Sequence, residues 1–183
     1  MIDFVQTVAD LDQSSDIHVA RLLILLDSFS EDDQNGAVEG LTKLAKLDFL
    51  LRYPVMLERA LKSKGKSTES VKLEDYERQS VESEMVRYRF GPWDHRYREF
   101  LNILVGKGLA VVNVEGRKVV ISITSKGREK AKELSKSDLF EPYYRRSKLV
   151  RRHFDLRATY LMNFIYTTFP EIISLRSNAP ITV

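Results

Sequence analysis

The apolar positions of this chain fall mostly at helical spacing, broken once by a strict alternation and once by a hairpin pattern. Ile17 to Phe29 (IHVARLLILLDSF) is apolar almost all round, the pattern of a helix covered on every side, with Asp16 placed to cap it. Ser30 to Gly36 (SEDDQNG) has loop chemistry. Leu41, Leu44, Leu47, Leu50 and Leu51 recur on one helical face, Pro54 ends or kinks that helix, and Val55 to Leu61 extends as one more short helix. Residues 63–84 hold few apolar positions and no period, which predicts a mobile charged insertion or a weak surface helix. Met85 to Phe90 alternates apolar with charged residues, the period of a short half-buried strand, and Gly91-Pro92 reads as the turn after it.

From Asp94 a further amphipathic helix is expected. Tyr97, Phe100, Leu101 and Leu104 form its apolar stripe, with His95, Arg98, Glu99 and Asn102 opposite and Gly106 and Gly108 at its end. Leu109 to Val114 and Val119 to Thr124, joined through Gly116, read as a β-hairpin, and Thr124 or Ser125 caps the helix that follows to Leu134. Two more helical patterns occupy Glu141 to Phe154, strongly basic, and Leu156 to Phe169, stopped by Pro170.

The order helix, helix, short strand, helix, hairpin, helix is that of a winged helix. The predicted class is mainly α with a small β-hairpin sheet: a winged helix-turn-helix core over residues 1–136, and a helical extension over 137–183. In that arrangement the hairpin continues the sheet begun by the 85–90 strand, and the third helix turns its polar face outward.

Composition narrows the function. A chain of 183 residues with no cysteine excludes disulfides and thiol nucleophiles and fits a reducing compartment. The start MIDFVQTVADLD lacks the regions of a signal peptide, and the apolar run Leu22–Leu26 is too short to span a bilayer, so a cytoplasmic location without a membrane partner is expected. His18, His95 and His153 have no metal-ligand spacing, no Gly-rich phosphate loop occurs, and the carboxylate pairs Asp32-Asp33 and Glu74-Asp75 sit in polar loops. No metal, cofactor or catalytic activity is therefore expected.

Charge points to binding instead. Residues 1–84 carry a net −7 and residues 85–183 a net +10, a split that suggests two surfaces for different partners unless folding interleaves the halves. A winged helix reads DNA with its third helix and touches phosphates with its wing. The candidates are Arg98 and Asn102, with Arg96 and Lys107 at the edges and Arg117 and Lys118 at the wing tip; Arg128, Lys130 and Lys132 continue the positive surface, whereas Glu99 opposes it. Arg145, Arg146, Lys148, Arg151 and Arg152, beside Tyr143 and Tyr144, form a denser cluster suited to a phosphate backbone, to an acidic protein, or simply to solvent.

Three stretches, GLTKLAKLDFLLRYP, RYRFGPWDHRYREFLNILVGKGL and SLRSNAPI, resemble the middle component of bacterial three-component ABC-ATPase systems, the group that includes the Lamassu anti-phage systems. The resemblance runs from about residue 40 to the end. It implies a non-catalytic accessory subunit of an SMC-like ATPase, working with an effector such as a nuclease, with DNA as a further candidate partner. Gly91, Pro92, Trp93, Asp94 and His95 are then a structural corner or a partner contact, with Trp93 expected to be buried. The alternative reading of the same elements is a stand-alone dimeric winged-helix transcription regulator.

Overall fold

The computed structural model describes residues 14–30, 36–78, 85–88 and 91–181. The acidic start of the chain, most of the SEDDQNG loop and the far end of the 63–84 insertion lie outside them. In chain order the elements are α1 (Ser15–Ser30), β1 (Ala37–Glu39), α2 (Leu41–Arg52), α3 (Pro54–Ser63), β2 (Val86–Tyr88), β3 (Gly91–Trp93), α4 (Tyr97–Gly106), β4 (Ala110–Glu115), β5 (Lys118–Ile123), α5 (Ser125–Leu134), α6 (Glu141–Phe154), α7 (Ala158–Thr168) and α8 (Pro170–Ser174). Two 3-10 turns, Glu69–Val71 and Asp75–Arg78, stand between α3 and β2. Among the described residues no helix is long and apolar enough to cross a membrane.

Helix α1 is buried from His18 to Ser30, as its all-round apolar pattern requires, with α4, α5, α6 and the hairpin packed around it. Asp16 falls within its first turn rather than at the cap. Pro54 begins α3 instead of merely stopping α2: at the first helical position its missing N–H leaves no bond unmade. The expected stripe of α4 is buried as Tyr97, Phe100, Leu101 and Leu104.

The three-stranded sheet corrects one expectation. Its order is β1-β5-β4, antiparallel throughout, so the hairpin is joined by Ala37–Glu39 and not by the strand at 85–90. That strand pairs with β3 as a separate two-stranded ribbon, and Gly91-Pro92 lies in strand rather than in a turn. The ribbon tolerates Pro92 for a clear reason. Its partner Arg87 turns both backbone groups away, the N–H donating to Ala179 O at 2.9 Å and the carbonyl accepting from Asn178 N at 2.7 Å.

The C-terminal helices share the core of the rest. Val150, Phe154, Leu161, Ile165, Phe169 and Ile172 are buried in the same cluster as α1 and α2, and the Phe169 ring meets Phe49 edge-on at 5.6 Å. Part of the 63–84 insertion is also tied down, because Val71 is buried and its carbonyl is held by Arg146.

Thr124 caps α5, its hydroxyl accepting from Gly127 N at 3.0 Å and donating to Gly108 O at 2.8 Å. This brings the first turn of α5 so close to Leu109 that a Cβ on Gly127 would stand 2.0 Å from the Leu109 carbonyl oxygen. Gly127→Ala should therefore cost about 3 kcal/mol, the upper part of the overpacking range, since the obstacle is backbone. Thermal unfolding of the variant checks this, and an unchanged melting temperature would mean that α5 docks elsewhere.

Candidate binding site

An ionisable residue inside an apolar helix must find a partner on a neighbouring element, because an unpaired buried charge is too costly to keep. Arg21 on α1 and Asp48 on α2 meet this need together. The Arg21 Nε and Nη2 atoms donate to the two Asp48 carboxylate oxygens at 2.7 and 3.0 Å, a bidentate pair with Asp48 fully buried. Tyr97 at the start of α4 donates its hydroxyl to the same carboxylate at 2.7 Å. Arg21 also donates to His18 Nδ1 at 3.0 Å, and His18 stacks on Phe100 with ring centroids 5.2 Å apart.

The Gly-Pro-Trp-Asp-His-Arg-Tyr run forms the second half of this network. Asp94 accepts from Arg52 at 3.0 Å and from the Arg96 side chain at 2.8 and 3.1 Å, while the Arg96 backbone N–H donates to it at 2.9 Å. Arg96 in turn lies 3.3 Å from the other ring nitrogen of His18. Burial alone would raise both carboxyls, but Arg21 holds Asp48 below the usual carboxylate range, and Arg96 and Arg52 do the same to Asp94. Burial, reinforced by the Asp48 charge, pushes the Tyr97 hydroxyl well above its ordinary value. These three groups keep one protonation state around neutrality, so the network locks α1, α2 and α4 together.

Arg96 thus faces Asp94 and His18 rather than standing at the edge of an open reading face, and Asp94 is buried. Gly91 and Pro92 are buried, His95 is exposed, and Trp93 is half-buried with its ring tilted against Tyr97 at 5.4 Å. Trp93 was expected to be buried in a structural corner, and it is only half-buried. With one side open, Trp93→Ala should cost about 1–2 kcal/mol, below the 3–5 kcal/mol of a fully buried aromatic, as read from a denaturant melt.

The remaining candidates divide into two groups. Arg98, Asn102, Lys107 and Arg117 are exposed on or beside α4 and at the tip of the β4–β5 hairpin, and Lys118 is exposed and paired with Glu39 at 2.9 Å. Glu99 shares this face and accepts from Ser15 at 3.1 Å. The cluster on α6, by contrast, is dispersed. Arg145 pairs with Glu141, and Arg151 with Asp155 at 2.7 Å. Lys148 lies over the Tyr144 ring at 4.2 Å, and Arg152 is exposed. Arg146 is only 2% exposed: both oxygens of Glu77 accept from it at 2.6 Å, and the carbonyls of Val71 and Lys72 accept at 2.9 and 3.1 Å. It is a structural anchor, so the expectation that it contacts DNA or a partner is corrected. Pairs such as Arg146–Glu77 and Lys118–Glu39 also interleave the acidic and basic halves, which weakens the expected separation into two charged surfaces.

Reading the sequence for exposed charge missed Arg21, Asp48 and Arg52. The available signal was their place in otherwise apolar helical patterns. Lys46 carried the same signal with a different outcome. It is 2% exposed, donates to the Thr42 carbonyl at 3.1 Å, and burial lowers its pKa to about 8. A lysine lowered in this way destabilises the fold wherever the unfolded chain holds the proton more tightly, so stability should rise as pH climbs from about 8 towards 10. Lys46→Met should raise the urea midpoint at pH 7 and remove that rise; a lower midpoint would show that the ammonium is well solvated.

Among the described residues no group of three His, Cys, Asp or Glu side chains is placed to hold a metal ion. The chain matches no known protein family, no curated protein and no solved structure.

Proposed function

We propose that this chain is a winged-helix binding subunit: the accessory component of an SMC-like ATPase in a three-component anti-phage complex, acting beside a separate effector. The observation that carries the winged-helix part is the order α1, β1, α2, then α4, β4 and β5, with α3 and the β2–β3 ribbon inserted between α2 and α4, the hairpin returning to β1 and the polar face of α4 left open. The ATPase assignment rests on the likeness of the three sequence stretches. Arg98, Asn102, Lys107, Arg117 and Lys118 form the contact face, for protein or for DNA.

The test is affinity capture of the tagged chain from its native host, with mass spectrometry of what accompanies it. A stoichiometric large ATPase supports the proposal. A homodimer that retains a specific promoter fragment and no ATPase would overturn it in favour of a transcription regulator.

A further inference from the structure

Among the described residues no strand pairs with the outer edge of the hairpin. Strand β4 is the end strand of the β1-β5-β4 sheet, and its burial stops at Ala110: Val111, Val112, Asn113, Val114 and Glu115 are all exposed, Val114 at 72%. The register shows which backbone groups are open. Thr124 N donates to Leu109 O at 3.0 Å and Gly40 N to Val119 O at 2.7 Å, which makes 109·124 a hydrogen-bonded pair within the hairpin and turns residue 121 towards β1. By alternation, the N–H and C=O groups of Ala110, Val112 and Val114 point away from β5. Free edges are normally blunted by lysine, proline or a bulge, and residues 109–114 (LAVVNV) carry none of these.

We infer that β4 pairs antiparallel with β4 of a second copy, about a two-fold axis through Val112. This goes beyond the proposed function: in the dimer Lys107 and the wing tip with Arg117 and Lys118 face the second copy, and Arg98 and Asn102 stay open to another partner. The strand is complementary to itself in this register. Val112 meets Val112 and Ala110 meets Val114, so the outward backbone groups of each copy satisfy those of the other. Valines face valine or alanine, and Val111 meets Asn113. The charges at the ends also match. Glu115 falls opposite Leu109 of the other copy, near the end of its α4 at Lys107, where an open cleft of about 460 Å³ is lined by Lys107, Leu109, Lys126 and Lys130 together with Glu129 and Glu133, the last paired with Lys130 at 2.9 Å. Lys126 donates to the Lys107 carbonyl at 2.9 Å, which holds its ammonium beside the end of α4. The wing tip of each copy thus enters the cleft of the other.

Sedimentation velocity on the full chain across a wide concentration range tests this. The wild type should sediment as a dimer, and Val112→Pro, which breaks no hydrogen bond within the β1-β5-β4 sheet, should sediment as a monomer with unchanged helical circular dichroism. Glu115→Lys should weaken dimerisation by about tenfold, and adding Lys107→Glu should restore it, a rescue that no other interface would give and that needs no proline. A wild type monomeric throughout, or a dimer that neither Val112→Pro nor Glu115→Lys weakens, would overturn the inference. Recovery of an ATPase in the capture experiment is independent of either result.

Discussion

Asp48→Ala should lower unfolding free energy by about 3–5 kcal/mol, as much as truncating a fully buried aromatic. The magnitude follows from what stays behind. Arg21 remains 1% exposed with its bidentate partner gone, and the Tyr97 hydroxyl loses its acceptor. Against a typical total of about 5–15 kcal/mol, that loss is enough to unfold a marginal domain. Urea denaturation at neutral pH measures it directly. A loss below about 1 kcal/mol would mean that water enters and compensates Arg21. Replacing the group as a whole, with Arg21→Met, Asp48→Leu and Tyr97→Phe together, should recover most of the loss, since apolar residues of similar volume need no partner.

The same carboxylates fix the response to acid. Asp48 and Asp94 are held below the usual range in the folded state, so their contribution is complete above the unfolded value, about pH 4, and is lost as pH falls through the folded values. The urea midpoint should therefore be level from about pH 7 to 5 in this respect and drop steeply below about pH 4. Asp48→Asn should start lower and drop less.

Arg146→Glu should be nearly as damaging as Asp48→Ala, at about 3–5 kcal/mol, and its consequences should be local first. The substitution sets a second carboxylate against Glu77 and removes the donor from the Val71 and Lys72 carbonyls. Residues 69–78 would lose the anchor that holds them to α6, and their backbone at Lys72 and Arg78, whose side chains are already exposed, would loosen enough for trypsin to cut. Limited proteolysis should show new cleavage there before global unfolding. Arg152→Glu, at an exposed position, should stay within about 0.5 kcal/mol of the wild type and resist trypsin equally. Equal protease resistance in both variants would show that Arg146 does not anchor the segment. Reversing Arg145, Arg146, Arg151 and Arg152 together is therefore no clean test of binding, because Arg146 would take the fold with it. Lys148→Glu with Arg152→Glu is the suitable substitute.

Much of the architecture was legible in local pattern. The burial of α1 on all sides, the stripe of α4, the hairpin around Gly116 and the Thr124 cap each depend on residues within a few positions of one another. Periodicity and turn chemistry encode such features directly. The exposed candidates on α4 and at the hairpin tip were legible for the same reason, since a helix with one apolar stripe turns its other side outward and a two-residue turn leaves its side chains in solvent.

Other features had no local signal. A three-residue strand such as Ala37–Glu39 has too few positions to show a period, and its pairing with β5 is set by where α1 and α2 place it. Whether 86–88 joins the hairpin or forms its own ribbon depended on Pro92 and on the distant segment 178–179. The arginines make the contrast sharpest. Arg145, Arg146, Arg151 and Arg152 look alike in sequence, yet Arg146 is buried on Glu77, a residue 69 positions away, while Arg152 faces solvent. The sequence alone determined which faces are apolar, because burial of apolar area is local and additive along a helix. Only the tertiary structure decided which charges are neutralised, because a buried ion pair needs two particular groups brought within about 3 Å from distant parts of the chain.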